Sequence, residues 1–188
     1  MKTIFCCLLA VILSLSTTSI FAKGFQAPAK GKAVVYFTRV TNWGGIASFE
    51  FFHQDKYIGV FKGKNYLRYE CNPGQQLLWA STENKEFVTA DLKEGETYIV
   101  IVDVKMGVMK GRVGFNPITV KDIEFERAKE LILAKDEVIT PTDKIAKMNV
   151  KLDDFIQEKL SLYETDWKLT KNFKHISSDM AIPVESMK

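Results

Sequence analysis

Lys64–Ser81 reads KNYLRYECNPGQQLLWAS, two runs of alternating apolar and polar residues on either side of Asn72-Pro73-Gly74. Proline presets φ, and glycine supplies the permissive position that a tight reversal needs. Tyr66, Leu67, Tyr69, Leu77, Leu78 and Trp79 give both arms the apolar surface of sheet core. The stretch is therefore expected to form a β-hairpin. Similar runs surround it from Gly31 to Phe115, which points to an all-β domain.

Upstream, Ala33–Val40 is apolar on both faces, the mark of a strand placed centrally in its sheet. Thr41–Gly45 (TNWGG) is a loop with Trp43 at its tip. Strands are expected over Ile46–His53 and Tyr57–Lys62. Downstream, Phe87–Leu92, Thr97–Val104 and Gly107–Phe115 complete a series of about eight, with turns at the spacing of a sandwich or small barrel. The fold class expected is mainly β: an antiparallel β-sandwich over residues 33–117 followed by two amphipathic helices.

The period changes at Asn116-Pro117. Thr119 with Asp122 resembles a helix start, and Ile123, Phe125, Ala128, Leu131 and Ile132 keep helical spacing. Thr140-Pro141-Thr142-Asp143 is a stronger start, with a cap residue, a first-turn proline and an acid. Ile145, Met148, Leu152, Phe155, Ile156 and Tyr163 then stripe one helix face as far as about Trp167. Residues 118–168 thus read as a two-helix extension, too apolar along one stripe to stand free. It is expected to pack on the sandwich or on an envelope protein partner. Residues 169–188 show no period and read as an irregular tail.

Residues 1–22 read as a secretory signal peptide. Lys2 supplies the charged region, Ile4–Leu15 the apolar one, and Ser16–Ala22 a small, polar approach to cleavage after Ala22. The apolar run is short for a transmembrane span, and no later run is longer; a retained anchor is the alternative. Cys6 and Cys7 lie inside the apolar run rather than at its end, so a lipid anchor is not expected. The localisation expected is secreted, in the periplasm. Residues 23–32 (KGFQAPAKGK) read as a linker.

Composition excludes little else. The 188 residues are 46% hydrophobic and 26% charged, with a net charge of +3; loss of Lys2 with the leader lowers that by one. So weak a surplus does not point to nucleic acid. Cys71 is alone in the expected mature chain and can form no internal disulfide.

Gly31–Arg39 (GKAVVYFTR), Asp55–Gly59 (DKYIG), Gly63 with Tyr66, Pro73-Gly74 before Leu77, and Gly95–Tyr98 (GETY) together resemble a bacterial secreted family, domain of unknown function "two-eight-four-six". That family is similar to PEGA-type β-sandwich modules. The resemblance spans roughly residues 31–104 and rests on turn residues. It implies a small envelope β-sandwich without assigned chemistry.

Candidate chemistry is sparse. Cys71 with His53 or His175 is the one conceivable nucleophile and base pair, set against an inert thiol at a strand end. Two histidines and one cysteine at unrelated spacings make poor metal ligands, so neither metal nor cofactor is expected. The glycines of Gly107–Phe115 lack the Gly-Lys-Ser/Thr ending of a phosphate loop. Asp153-Asp154 and Asp122 with Glu124 and Glu126 read as solvated helix faces rather than a catalytic pair.

Two surfaces stand out: Trp43 on its Gly-flanked loop, and Lys168, Lys171 and Lys174 interleaved with Trp167 and Phe173. The reading is a non-catalytic binding or interaction module of the cell envelope. The alternatives are a hydrolase-like envelope enzyme, with a pocket the sequence does not locate, or a binder of anionic lipid or polysaccharide surfaces.

Overall fold

The computed structural model describes residues 23–42, 48–106 and 111–188. Residues 1–22, Trp43 and the first residues of the Gly107–Phe115 run lie outside these, so the signal peptide and the Trp43 surface do too. Among the described residues the strands are β1 (Ala33–Thr38), β2 (Ser48–His53), β3 (Lys56–Lys62), β4 (Tyr66–Cys71), β5 (Gly74–Ser81), β6 (Lys85–Leu92), β7 (Thr97–Met106), β8 (Gly111–Ile118) and β9 (Lys174–Ile176). The helices are α1 (Phe125–Ala134), α2 (Thr142–Lys151) and α3 (Asp153–Leu162), the last running into a π-helical turn at Tyr163–Trp167. No helix among the described residues is long and apolar enough to cross a membrane.

The strands build two open sheets, one ordered β4-β1-β7-β8 and one ordered β3-β2-β5-β6-β9. Both are mixed, which corrects the expectation of antiparallel pairing throughout. β1 lies parallel to β7, and β6 parallel to β9. The first parallel pair arises because the chain leaves β1 to build most of the other sheet. It then returns to the end from which β1 started, where Gly95 N–H donates to Lys32 O at 2.8 Å and Val34 N–H to Glu96 O at 3.0 Å.

The expected hairpin at Asn72-Pro73-Gly74 is also corrected. Its arms lie in different sheets: Cys71 of β4 pairs with Ala33 of β1, while Gly74 of β5 pairs with Leu92 of β6. Gly74 does take positive φ, at 93°, so the turn chemistry is as read. Turn residues specify a reversal but not lateral neighbours. Here β1 claims one arm while β2 and β6 claim the other.

Each sheet is apolar on both faces. Between the sheets, Phe37, Phe51, Leu78, Val88, Val100 and Phe115 share one core. On the outer face of the four-stranded sheet, Val34, Tyr36, Ile99 and Ile101 meet Phe125, Ala128 and Ile132 of α1. On the outer face of the other sheet, the register partners Phe52, Trp79 and Phe87 stack across the strands, at 3.8 and 5.2 Å between ring centroids. Ile156 and Tyr163 cover them, flanked by Met148, Leu152 and Phe155. Burial of Phe52 or Phe87 contributes about 2–3 kcal/mol each. The extension expected as two helices holds three, because the backbone leaves the helical conformation at Leu152 (φ −102°, ψ 7°) and splits the second into α2 and α3; α1 covers one sheet, α2 and α3 the other.

Segments read as loose are ordered parts of this stack. In the expected linker, Phe25 packs on Tyr36 at 5.1 Å and Gly24 N–H donates to Ile132 O at 3.2 Å. In the expected irregular tail, β9 extends the five-stranded sheet, Ile182 N–H donates to Thr97 O at 2.8 Å, and Ile182 is buried against the α1 side. A strand of three residues is too short to show a period.

Edge strands are capped by side chains and loop backbone, which blocks further strand pairing. Val138 N–H donates to Tyr66 O at 3.0 Å on β4, and Thr140 Oγ1 accepts from Val60 N–H at 3.1 Å on β3. Thr140 thus serves the sheet edge, and α2 carries no side-chain cap hydrogen bond. The Asn149 amide imitates a neighbouring strand. Its Oδ1 accepts from Tyr57 N–H at 2.8 Å, and its Nδ2 donates to Tyr57 O at 3.1 Å. Asn149→Ala leaves both Tyr57 groups unmatched and should cost about 1–3 kcal/mol. Chemical denaturation of the variant checks this, and unchanged stability would mean that water replaces the amide.

Candidate functional site

Cys71 lies in the core between the sheets, where burial pushes its thiol up to about 11. His175 sits in another layer, exposed on β9, with Nδ1 2.9 Å from Thr89 Oγ1. His53 is half-buried and its two ring nitrogens are engaged elsewhere. Gln76 Nε2 donates to Asn72 O at 3.0 Å, so its Oε1 is the acceptor for His53 Nε2–H at 2.6 Å. His53 Nδ1 then accepts from the Tyr69 hydroxyl at 2.8 Å. This chain of hydrogen bonds joins the sheets, since Tyr69 belongs to β4 and His53 and Gln76 to β2 and β5. The structure brings neither histidine to Cys71 as a base.

The basic cluster divides by layer. Phe173 and Trp167 pack against Phe87 as core. Lys168 pairs with Glu164, and the Lys171 ammonium lies 3.9 Å from the Trp167 ring centroid. Lys174 is exposed on β9. Among the described residues no group of three or more His, Cys, Asp and Glu side chains is placed to hold a metal.

A carboxylate does sit in a cleft. Glu50 of β2 lines a space of about 380 Å³ beside α2, with Tyr57, Lys62, Lys144 and Met148. Burial raises the Glu50 pKa above the ordinary carboxylate value, and Lys151, Lys85 and Lys144 partly offset that. Among the described residues the lining holds no second carboxylate, so the described residues do not assemble the paired-acid chemistry of hydrolases there.

The larger feature is a polar groove of about 550 Å³ on the helix side of the five-stranded sheet, a volume within the range of small-molecule sites. It opens where α3 gives way to the π-helical turn, leaving the ends of β5, β6 and β9 uncovered. Leu77 and Tyr163 supply apolar surface, and the polar lining includes Gln75, Thr89, Asp91 and His175. Alternation along β5 and β6 sends Leu77 and Thr89 outward and Leu78 and Val88 into the core.

Two uncommon backbone conformations meet at this groove. Gln54, on the β2–β3 turn, is the non-glycine residue with positive φ among the described residues, at 50°. It is held there by its own N–H, which donates to Leu77 O at 2.8 Å, and by its carbonyl, which accepts from Trp79 Nε1 at 2.9 Å. On the opposite wall, Tyr163 and Glu164 belong to the π-helical turn. Strained residues and π turns concentrate at functional sites. The glutamines and acids here carry no sequence motif. Of the groove's residues only His175 drew notice in the sequence as a candidate for chemistry, and there as a base for Cys71.

No family model matches the chain, and no curated protein matches it.

Two measurements follow. A thiol reagent should leave Cys71 unlabelled in the folded protein and label it on denaturation, because a thiol with a pKa of about 11 is almost wholly protonated at neutral pH; rapid labelling of Cys71 in the folded protein would mean that the core opens. For Glu50, the folded state holds the proton more tightly than the unfolded one, so stability falls as pH rises from the ordinary carboxylate pKa through the raised one. Glu50→Gln should therefore raise Tm at pH 7 and change it little below about pH 4. A gain of equal size at both pH values would remove burial of the charge as the cause.

Proposed function

We propose that this chain is a non-catalytic binding module of the bacterial cell envelope, built on a β-sandwich of the PEGA-like kind, with the polar groove as its binding site. The observation that carries the reading is the convergence of the Gln54 strain and the π-helical turn on one groove. Holding such backbone costs about 1–3 kcal/mol at a strained residue, and here that cost falls beside the uncovered end of the sheet. The turn residues behind the family resemblance support the fold: Asp55–Gly59 leads from the β2–β3 turn into β3, Pro73-Gly74 opens β5, and Gly95–Tyr98 leads into β7. The leader-like pattern of residues 1–22, a charged start followed by an apolar run, supports the compartment.

The anionic-surface reading has less behind it, because Lys168 and Lys171 already face Glu164 and Trp167. A binding array carrying oligosaccharides, peptides and nucleotides tests the proposal. The protein should retain a subset of these, and Thr89→Trp, which fills the groove from an outward-facing strand position, should abolish retention while leaving Tm close to the parent value. Retention that survives Thr89→Trp, or no retention at all, overturns the groove as a binding site.

A further inference from the structure

Resting on that reading, we infer that the groove takes a neutral polyhydroxylated ligand, a short uncharged oligosaccharide. Three lining side chains, those of Gln54, Gln75 and Asp91, take part in no hydrogen bond among the described residues, although they rim a formed cleft. Two are amides and one a carboxylate, planar groups that present two hydrogen-bonding atoms side by side. Thr89 and His175 bond to each other and so hold one another in place, and each keeps a further hydrogen-bonding position for a ligand hydroxyl. The apolar surface of Leu77, half-buried on the outward face of β5, suits the C–H face of a sugar ring.

Charge narrows the class. Asp91 and Glu164 are the acidic residues lining the groove, and among the described residues no Lys or Arg side chain lines it. An acidic polymer would meet the Asp91 carboxylate on entry, whereas a neutral one meets no like charge. Glu164 is itself paired with Lys168 at the rim, and that pairing lowers the incentive for a cationic ligand. Hydroxyl groups, which both donate and accept, match amide, carboxylate, hydroxyl and imidazole together.

The test is an NMR titration of the protein with two probes, the neutral tetramer of N-acetylglucosamine and the acidic tetramer of galacturonate. The neutral probe should shift the amides of Gln54, Gln75, Thr89 and His175, with an affinity that changes less than about twofold between roughly 50 and 500 mM salt. The acidic probe should bind about tenfold more weakly or worse, and Asp91→Asn should narrow that gap. Gln75→Leu should weaken the neutral probe about fivefold, the loss expected for one neutral hydrogen bond. Acidic binding as tight as neutral, or a neutral affinity that falls steeply with salt, overturns the ligand class and leaves the groove standing. Silence of both probes while another array ligand stays sensitive to Thr89→Trp does the same. Silence of both together with insensitivity to Thr89→Trp overturns the groove as well.

Discussion

Each of the two sheets is apolar on both faces, and everything else in the molecule answers that constraint. A pair of sheets packed face to face hides only the inner surfaces, so Val34, Tyr36, Ile99 and Ile101 on one outside and Phe52, Trp79 and Phe87 on the other would stand in water. Exposed apolar patches of that kind drive association. The chain supplies its own cover, α1 on one side and α2 with α3 on the other. The result is a four-layer arrangement in which the helices are as necessary as the strands.

The cover explains where the groove lies. Met148, Leu152, Phe155, Ile156 and Tyr163 follow the aromatic row formed by Phe52, Trp79 and Phe87, and this apolar strip ends before the sheet does. Past Phe87 the outward positions of β6 are Thr89 and Asp91, and the outward end of β5 is Gln75. The switch from aromatic to polar residues on one sheet face sets the boundary between buried sheet and open groove. The π-helical turn is the wall at that boundary, with Tyr163 still stacked on Phe87 at 4.5 Å and Glu164 already facing the groove.

Much of this was legible in the residues. All eight strands from Ala33 to Ile118 follow from alternation and turn residues, and both helical regions follow from spacing. Lateral pairing was not legible, because Asn72-Pro73-Gly74 encodes a reversal that fits a hairpin and an inter-sheet corner equally well. The outward aromatics hid the layering. Leu78 beside Trp79 reads simply as an apolar strand, although one faces the core and the other the helices. Thr140 read as a helix cap, and its hydroxyl instead serves the edge of β3. The groove was invisible for a different reason. Its residues come from the β2–β3 turn, three strands and a helix end, and no local pattern links them.

The position of β9 also governs when the molecule can finish folding. Thr89 and His175 meet across 86 residues of sequence, and Ile182 reaches back across a similar span to Thr97. Contacts so distant in sequence form late, after the entropy of closing a long loop has been met. Until β9 docks, the five-stranded sheet lacks its outer strand and the groove lacks His175. The groove is therefore among the last features of the molecule to form, and a ligand held there reports that β9 has docked.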